Sequence, residues 1–149
     1  MKIISFILSF LFSEICLSQN TVPLFPKTPR EASVQLSIPT TSRIALNNLV
    51  PLFTASTNGS KVVEIDAKAD TTTIAGSLFI AITDTAGANA RIFDEILIYS
   101  ISPILGSGSF KNSALYNNLQ IKAGQIIQVG ATTIPAGGHL NVWVSAGDY

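Results

Sequence analysis

Cysteine is nearly absent: Cys16 is the only one in 149 residues. No intrachain disulfide can form, and there is no multi-cysteine metal site. Histidine is as scarce. His139 stands alone, and one His with one Cys does not make an ordinary zinc site. Charge is thin as well. Asp, Glu, Lys and Arg make up 12% of the chain, nine basic against nine acidic. That is about half the share usual in a soluble domain. The charges form no run of either sign, so a basic groove for nucleic acid is not expected, because phosphate binding needs clustered Lys and Arg. No apolar run reaches the roughly 20 residues that span a bilayer. Catalytic motifs are missing too. No serine sits in a nucleophile elbow. None of Asp66, Asp70, Asp84, Asp94, Glu95 and Asp148 is marked as half of a hydrolytic pair. The chain therefore offers no catalytic residue, no cofactor-binding residue and no metal ligand, and reads as a building block rather than an enzyme.

The first residues, Met1-Lys-Ile-Ile-Ser-Phe-Ile-Leu-Ser-Phe-Leu-Phe12, are a basic start and an apolar run. Two readings stand side by side. One is a secretory signal with Ser18 before the cut and Cys16 three positions before it. The other is an extension upstream of a true start near Ser18. Both leave residues 1–18 out of the fold. A retained membrane-surface helix fits less well, since only one basic residue accompanies the run.

Residues 19–33 carry Pro23, Pro26 and Pro29 at three-residue spacing. Proline fixes φ and removes a donor, so this segment is expected to be an extended arm. Val22, Leu24 and Phe25 give that arm an apolar surface for docking. From residue 34 to 149, short β-like runs alternate with turn signals. Asn58-Gly59 reads as a tight hairpin turn. After it, Val63, Ile65 and Ala67 are expected on one face, with Glu64, Asp66 and Lys68 on the other. Ile44–Phe53 reads as an apolar run broken at Asn47-Asn48 and Pro51. Ser77–Thr83 is apolar on both faces, as a strand covered on both sides must be. Gly106–Ser113 reads as a loop. In His139–Ser145, Leu140, Val142 and Val144 face inward, with Asn141, Trp143 and Ser145 outward. Seven to eight strands at this spacing, with no helical period longer than about two turns, predict one all-β domain: an antiparallel sandwich or jelly roll with an N-terminal arm.

Four local features carry sharper expectations. Asp94 and Glu95 interrupt an apolar strand, so one points inward and needs Arg91 or Arg43 as a partner, unless a bulge turns both outward. Asp84 and Asn89 stand in a loop that lacks the acidic density of a calcium site and read as a structural turn. His139 reads as a surface turn residue. An outward Trp143 marks an interface, where large aromatics concentrate binding energy. The sequon Asn58-Gly-Ser60 is accounted for by the turn.

Several short motifs follow one another in order: Asn20-Thr-Val-Pro-Leu-Phe25, Thr28-Pro29, Val34-Gln35, Leu52-Phe-Thr-Ala55, Asn58-Gly-Ser60, Phe93-Asp-Glu95 and Gly147-Asp-Tyr149. This succession, from about residue 19 to the end, resembles small virion proteins of tailed phages, of the crAss-like and prophage kind. The resemblance implies a capsid auxiliary or decoration subunit in the virion. It would be a β-sandwich without enzymatic activity, forming a homo-oligomer of a number left open, a trimer being one such form. Its partners would be the major capsid protein or other virion subunits, with no nucleic acid and no stable membrane span. Trp143 and Tyr149 would belong to a subunit contact, and the arm would reach across a capsid seam. The apolar start departs from this pattern, because a capsid protein assembled in the cytoplasm needs no export signal. If residues 1–18 are a true signal, the alternative is a secreted bacterial binding module for carbohydrate or a cell surface.

Overall fold

The computed structural model describes residues 25–149. The segment 1–18 and the candidates Val22 and Leu24 lie outside the described residues. Eight strands follow in order: β1 (Thr28–Leu36), β2 (Val50–Thr54), β3 (Ser60–Ala69), β4 (Gly76–Thr83), β5 (Arg91–Ile98), β6 (Lys111–Ile121), β7 (Ile126–Ala131) and β8 (Leu140–Asp148). They form two four-stranded antiparallel sheets, ordered β1-β8-β3-β6 and β2-β7-β4-β5. The pairs β4–β5, β3–β6, β2–β7 and β1–β8 nest inside one another. The chain is thus one long antiparallel ribbon, folded at β4–β5 and wound over itself. That winding is the jelly-roll connection. Only β4–β5 is a hairpin within a sheet; every other connection crosses between the layers.

Side-chain alternation supplies the driving force. In β8, Leu140, Val142 and Val144 are buried between the sheets, while Trp143 is exposed on the outer face. In β4, Leu78 and Ile80 join the same core. Its other face is also covered, as two apolar faces require: Phe79 and Ala81 are buried. The loop between β1 and β2 lies over them. The Arg43 guanidinium sits 5.5 Å from the centre of the Phe79 ring, and the Thr40 amide donates to the Ala131 carbonyl at 2.7 Å.

Several local expectations are corrected. Residues 28–33 of the expected arm are strand, so the body begins at Thr28. Arg30, Ala32 and Val34 turn toward the interior, alternating with Pro29, Glu31 and Ser33. Pro29 is tolerated because β1 is an edge strand. The run Ile44–Phe53 is strand only from Val50. Ile44 is 97% exposed in a turn, where Asn47 Oδ1 accepts from the Thr41 and Ser42 amides. Those local bonds compete with a ladder. Asn58-Gly59 does not close a hairpin but carries the chain from one sheet to the other. Gly59 has φ of 86° and its amide donates to Ser56; Asn58 stays out of the left-handed region. Val63 faces out, not in. A bulge between Val62 and Glu64 gives the core position to Val62, while Ile65 and Ala67 keep theirs. The expected loop 106–113 ends sooner, since Phe110 is fully buried and β6 starts at Lys111.

Polar clips seal the two open sides of the sandwich. On one side, Arg30 reaches from β1 across to β2. It lies 4.8 Å over the Phe53 ring and donates to the Thr54 carbonyl at 3.2 Å and to Asp148 Oδ2 at 3.1 Å. Asp148 Oδ1 accepts from Ser60 Oγ at 2.6 Å. A Cβ on Gly147 would overlap Pro26, so only glycine lets the chain before β1 lie against β8. On the other side, Asn112 of β6 donates to the Leu97 carbonyl of β5 at 3.0 Å.

The Arg30 side chain is 40% exposed, so solvent discounts its ion pair. Its stacking and its carbonyl bond remain. Arg30→Ala is expected to lower stability by about 1–2 kcal/mol. Urea denaturation should show the midpoint fall with the slope unchanged.

Candidate contact sites

The adjacent acids of β5 part company. A register shift between Ile80 and Ala81 opposes the extra residue Phe93 of β5. Asp94 then lies on the inner side and Glu95 on the outer. Asp94 Oδ2 accepts from the Tyr116 hydroxyl of β6 at 2.9 Å, and the Phe93 and Tyr116 rings meet at 5.7 Å. The inward acid thus takes a tyrosine hydroxyl in place of the expected Arg91 or Arg43, and it is the outer acid, Glu95, that pairs with Arg43. The two acids therefore do not face one another across a cleft: each has a structural partner. Tyr116 titrates well above an ordinary tyrosine. Burial is the main cause, followed by the hydrogen bond to Asp94 and then that carboxylate's charge.

The Asp84 loop is knit from within. Asp84 accepts from Asn89 Nδ2 at 2.7 Å and from the Ala88 and Ala86 amides at 2.8 and 3.0 Å. The Asn89 bond, then the Ala88 amide, hold its carboxyl below the ordinary aspartate value, against a smaller desolvation effect. His139 is exposed in the turn before β8. Among the described residues, no three His, Cys, Asp or Glu side chains gather as a metal site. No described helix is long and apolar enough to cross a membrane.

Among the described residues, three surfaces are available for contact. The first is the corner at the end of β8. Tyr149 donates its amide to the Gly59 carbonyl at 3.3 Å. It borders a groove of about 410 Å³ with Asn58, Gln120 and Lys122. Phe25, 72% exposed, leads into β1 at this same end, because Thr28 pairs with Asp148. The second is the outer face of the β1-β8-β3-β6 sheet, with Trp143 at its middle. Trp143 and Tyr149 therefore stand on different surfaces, six residues apart along β8 and its end. The third surface is apolar and was missed in the sequence. Leu97, Tyr99, Ile104 and Leu105 are exposed on the edge strand β5 and the loop after it. Ile74 joins them, since its neighbour Thr73 bonds the Tyr99 and Ile101 backbone. A signal existed: Ile104-Leu105 places two large aliphatics in a Pro/Gly/Ser loop, where no core claims them.

No family model and no curated protein matches the chain.

Tyr116 yields a test of the inner clip. Its unfolded-state value is about 10, and the folded value lies higher. Above about pH 10 the unfolded chain releases this proton first, so stability falls as pH rises through that range. Tyr116→Phe should flatten this part of the profile in denaturation midpoints measured from pH 8 to 11. An unchanged slope would remove Tyr116 as its source.

Proposed function

We propose that the chain is a structural subunit of a tailed-phage virion, a capsid auxiliary or decoration protein that acts by attachment. The observation that carries this reading is the apolar β5 edge. Large exposed aliphatics on an edge strand invite association, and a charge-poor, net-neutral surface does little to oppose it. The jelly roll alone does not choose, because viral capsid domains, lectins and cupins share it. Motifs of the phage resemblance add weight. Thr28-Pro29, Asn58-Gly-Ser60 and Gly147-Asp-Tyr149 meet at one corner, where Thr28, Asp148 and Ser60 are in register. Leu52-Phe-Thr-Ala55 reaches the same corner through Arg30. Four of the seven motifs thus share one closing joint, while Val34-Gln35 and Phe93-Asp-Glu95 lie away from it.

In this reading the β5 edge packs against a second copy or the capsid shell, and the segment before Thr28 reaches a neighbour. Many weak contacts on a symmetric shell sum to firm attachment. The secreted-module alternative draws on the apolar start of the chain and the exposed Trp143.

Density-gradient fractionation of cells producing the phage separates the two. The chain should band with virions, and Leu97→Asp with Leu105→Asp should release it while the sandwich stays folded. Removing residues 1–26 leaves β1 whole and should weaken banding. Recovery of the chain in the medium, free of particles, would overturn the virion reading.

A further inference from the structure

We infer that the outer face of the β1-β8-β3-β6 sheet binds carbohydrate, with Trp143 as the stacking platform and a neutral polysaccharide as ligand. Register supplies the geometry. Ser33, Trp143, Asp66 and Ser113 form one row across β1, β8, β3 and β6. Residues opposite one another in a sheet share a face, so all four side chains leave on the same side. Along β8, Asn141 and Ser145 flank Trp143 on that face. Trp143 lies on an interior strand and is still 41% exposed. Beside it runs a groove of about 280 Å³, lined by Ser33, Gln35 and Asn141.

A second, independent observation is Asp66 Oδ1. It is shut off from solvent and has no hydrogen-bond partner among the described residues. An unmet buried acceptor is costly, and a ligand that displaces the side chains covering it brings a hydroxyl as the missing donor. A pyranose ring has the matching form. One face presents C–H groups that lie flat on an indole, and the rim presents hydroxyls that donate and accept. Serine, asparagine, glutamine and aspartate around Trp143 answer both roles.

The composition of this face argues against a protein occupant. Interface cores are depleted in Ser and Asp, yet those residues share the row of Trp143, and the exposed Val63 and Leu115 lie outside that row. The apolar β5 edge, on the other sheet, has the character of a protein contact instead. The charged neighbours on the face are of both signs, with Lys68 and Lys111 in the next row beyond Asp66, so a neutral polymer fits better than a polyanion. The inference goes beyond the virion reading and holds equally for a virion subunit or a secreted module.

Trp143 is the only tryptophan, so its fluorescence reports on this face alone. The full chain is titrated with hydroxyethyl cellulose, xylan, glucomannan and dextran, with polygalacturonate as the acidic counterpart. At least one neutral polymer should shift the emission and retard the protein in affinity gels. Trp143→Ala should weaken that retardation about tenfold or more, and Trp143→Tyr should restore part of it. Asp66→Ala should weaken it without changing the denaturation midpoint downward, which keeps the test open should Trp143→Ala fail to fold. The inference is overturned if no neutral polymer moves either signal, if only polygalacturonate does, or if neither the Trp143 nor the Asp66 variants alter retardation. It is overturned equally if Trp143→Tyr releases the chain from virions while no polysaccharide responds, since the face would then be a protein contact.

Discussion

The pairing of β1 with β8 holds the two ends of the ribbon together, and the remaining strands lie between those ends. Thr28 through Leu36 matches Asp148 back through Leu140 without a shift. Because β8 also pairs with β3, this junction ties the start, the middle and the end of the described chain into one sheet. Such contacts are remote in sequence and costly in loop entropy. The corner that anchors them is correspondingly dense in polar bonds: Asp148 engages Ser60, Arg30 and the Lys27 amide at once. Arg30 then extends the same joint to the second sheet through Phe53 and Thr54.

Closing the ribbon in this way uses both inner faces for the core and leaves two outer faces with unlike fates. The face of β4 and β7 is covered by the chain's own β1–β2 loop, through Arg43 over Phe79 and through Thr40 and Leu49 against Gly130. Among the described residues the face of β8 and β3 stays open, with polar side chains around one indole and with Val63 and Leu115 exposed away from it. At the side of the second sheet, β5 is left with exposed apolar side chains and no covering loop among the described residues. The division is physical: one face is satisfied within the chain, one offers hydrogen bonds and a ring, and one edge offers aliphatic surface. Asp84, Asp94, Glu95 and Asp148 are held by local partners, whereas Asp66 Oδ1 has none among the described residues.

Much of the fold was legible because alternation survives wherever one face is buried. The inward trio of β8 and the doubly apolar β4 are written in their residues. What escaped was set by long-range geometry. The bulge at Val63 is invisible to a period-two count, which can place Ile65 and Ala67 yet misassign the residue before Glu64. The same holds for Phe93, whose extra position separates Asp94 from Glu95. Asn58-Gly59 carries a hairpin's composition but serves a crossover, since turn chemistry records the local bend and not the sheet that follows. Pro29 drew the first part of β1 into the arm because its tolerance depends on being at an edge. The outward direction of Trp143 could be read from alternation. Its neighbours Ser33 and Asp66 could not, because they come from strands far apart in sequence.

Amide hydrogen exchange over the whole chain, free and bound to the phage particle that the proposed role assigns it, decides whether a closed body presents its β5 edge for attachment. Slow exchange is expected throughout β3, β4, β7 and β8 in both states, with the protection gained on attachment concentrated in residues 97–110. Fast exchange along β8 in the free protein, or protection gained elsewhere while 97–110 stays unchanged, would contradict the account.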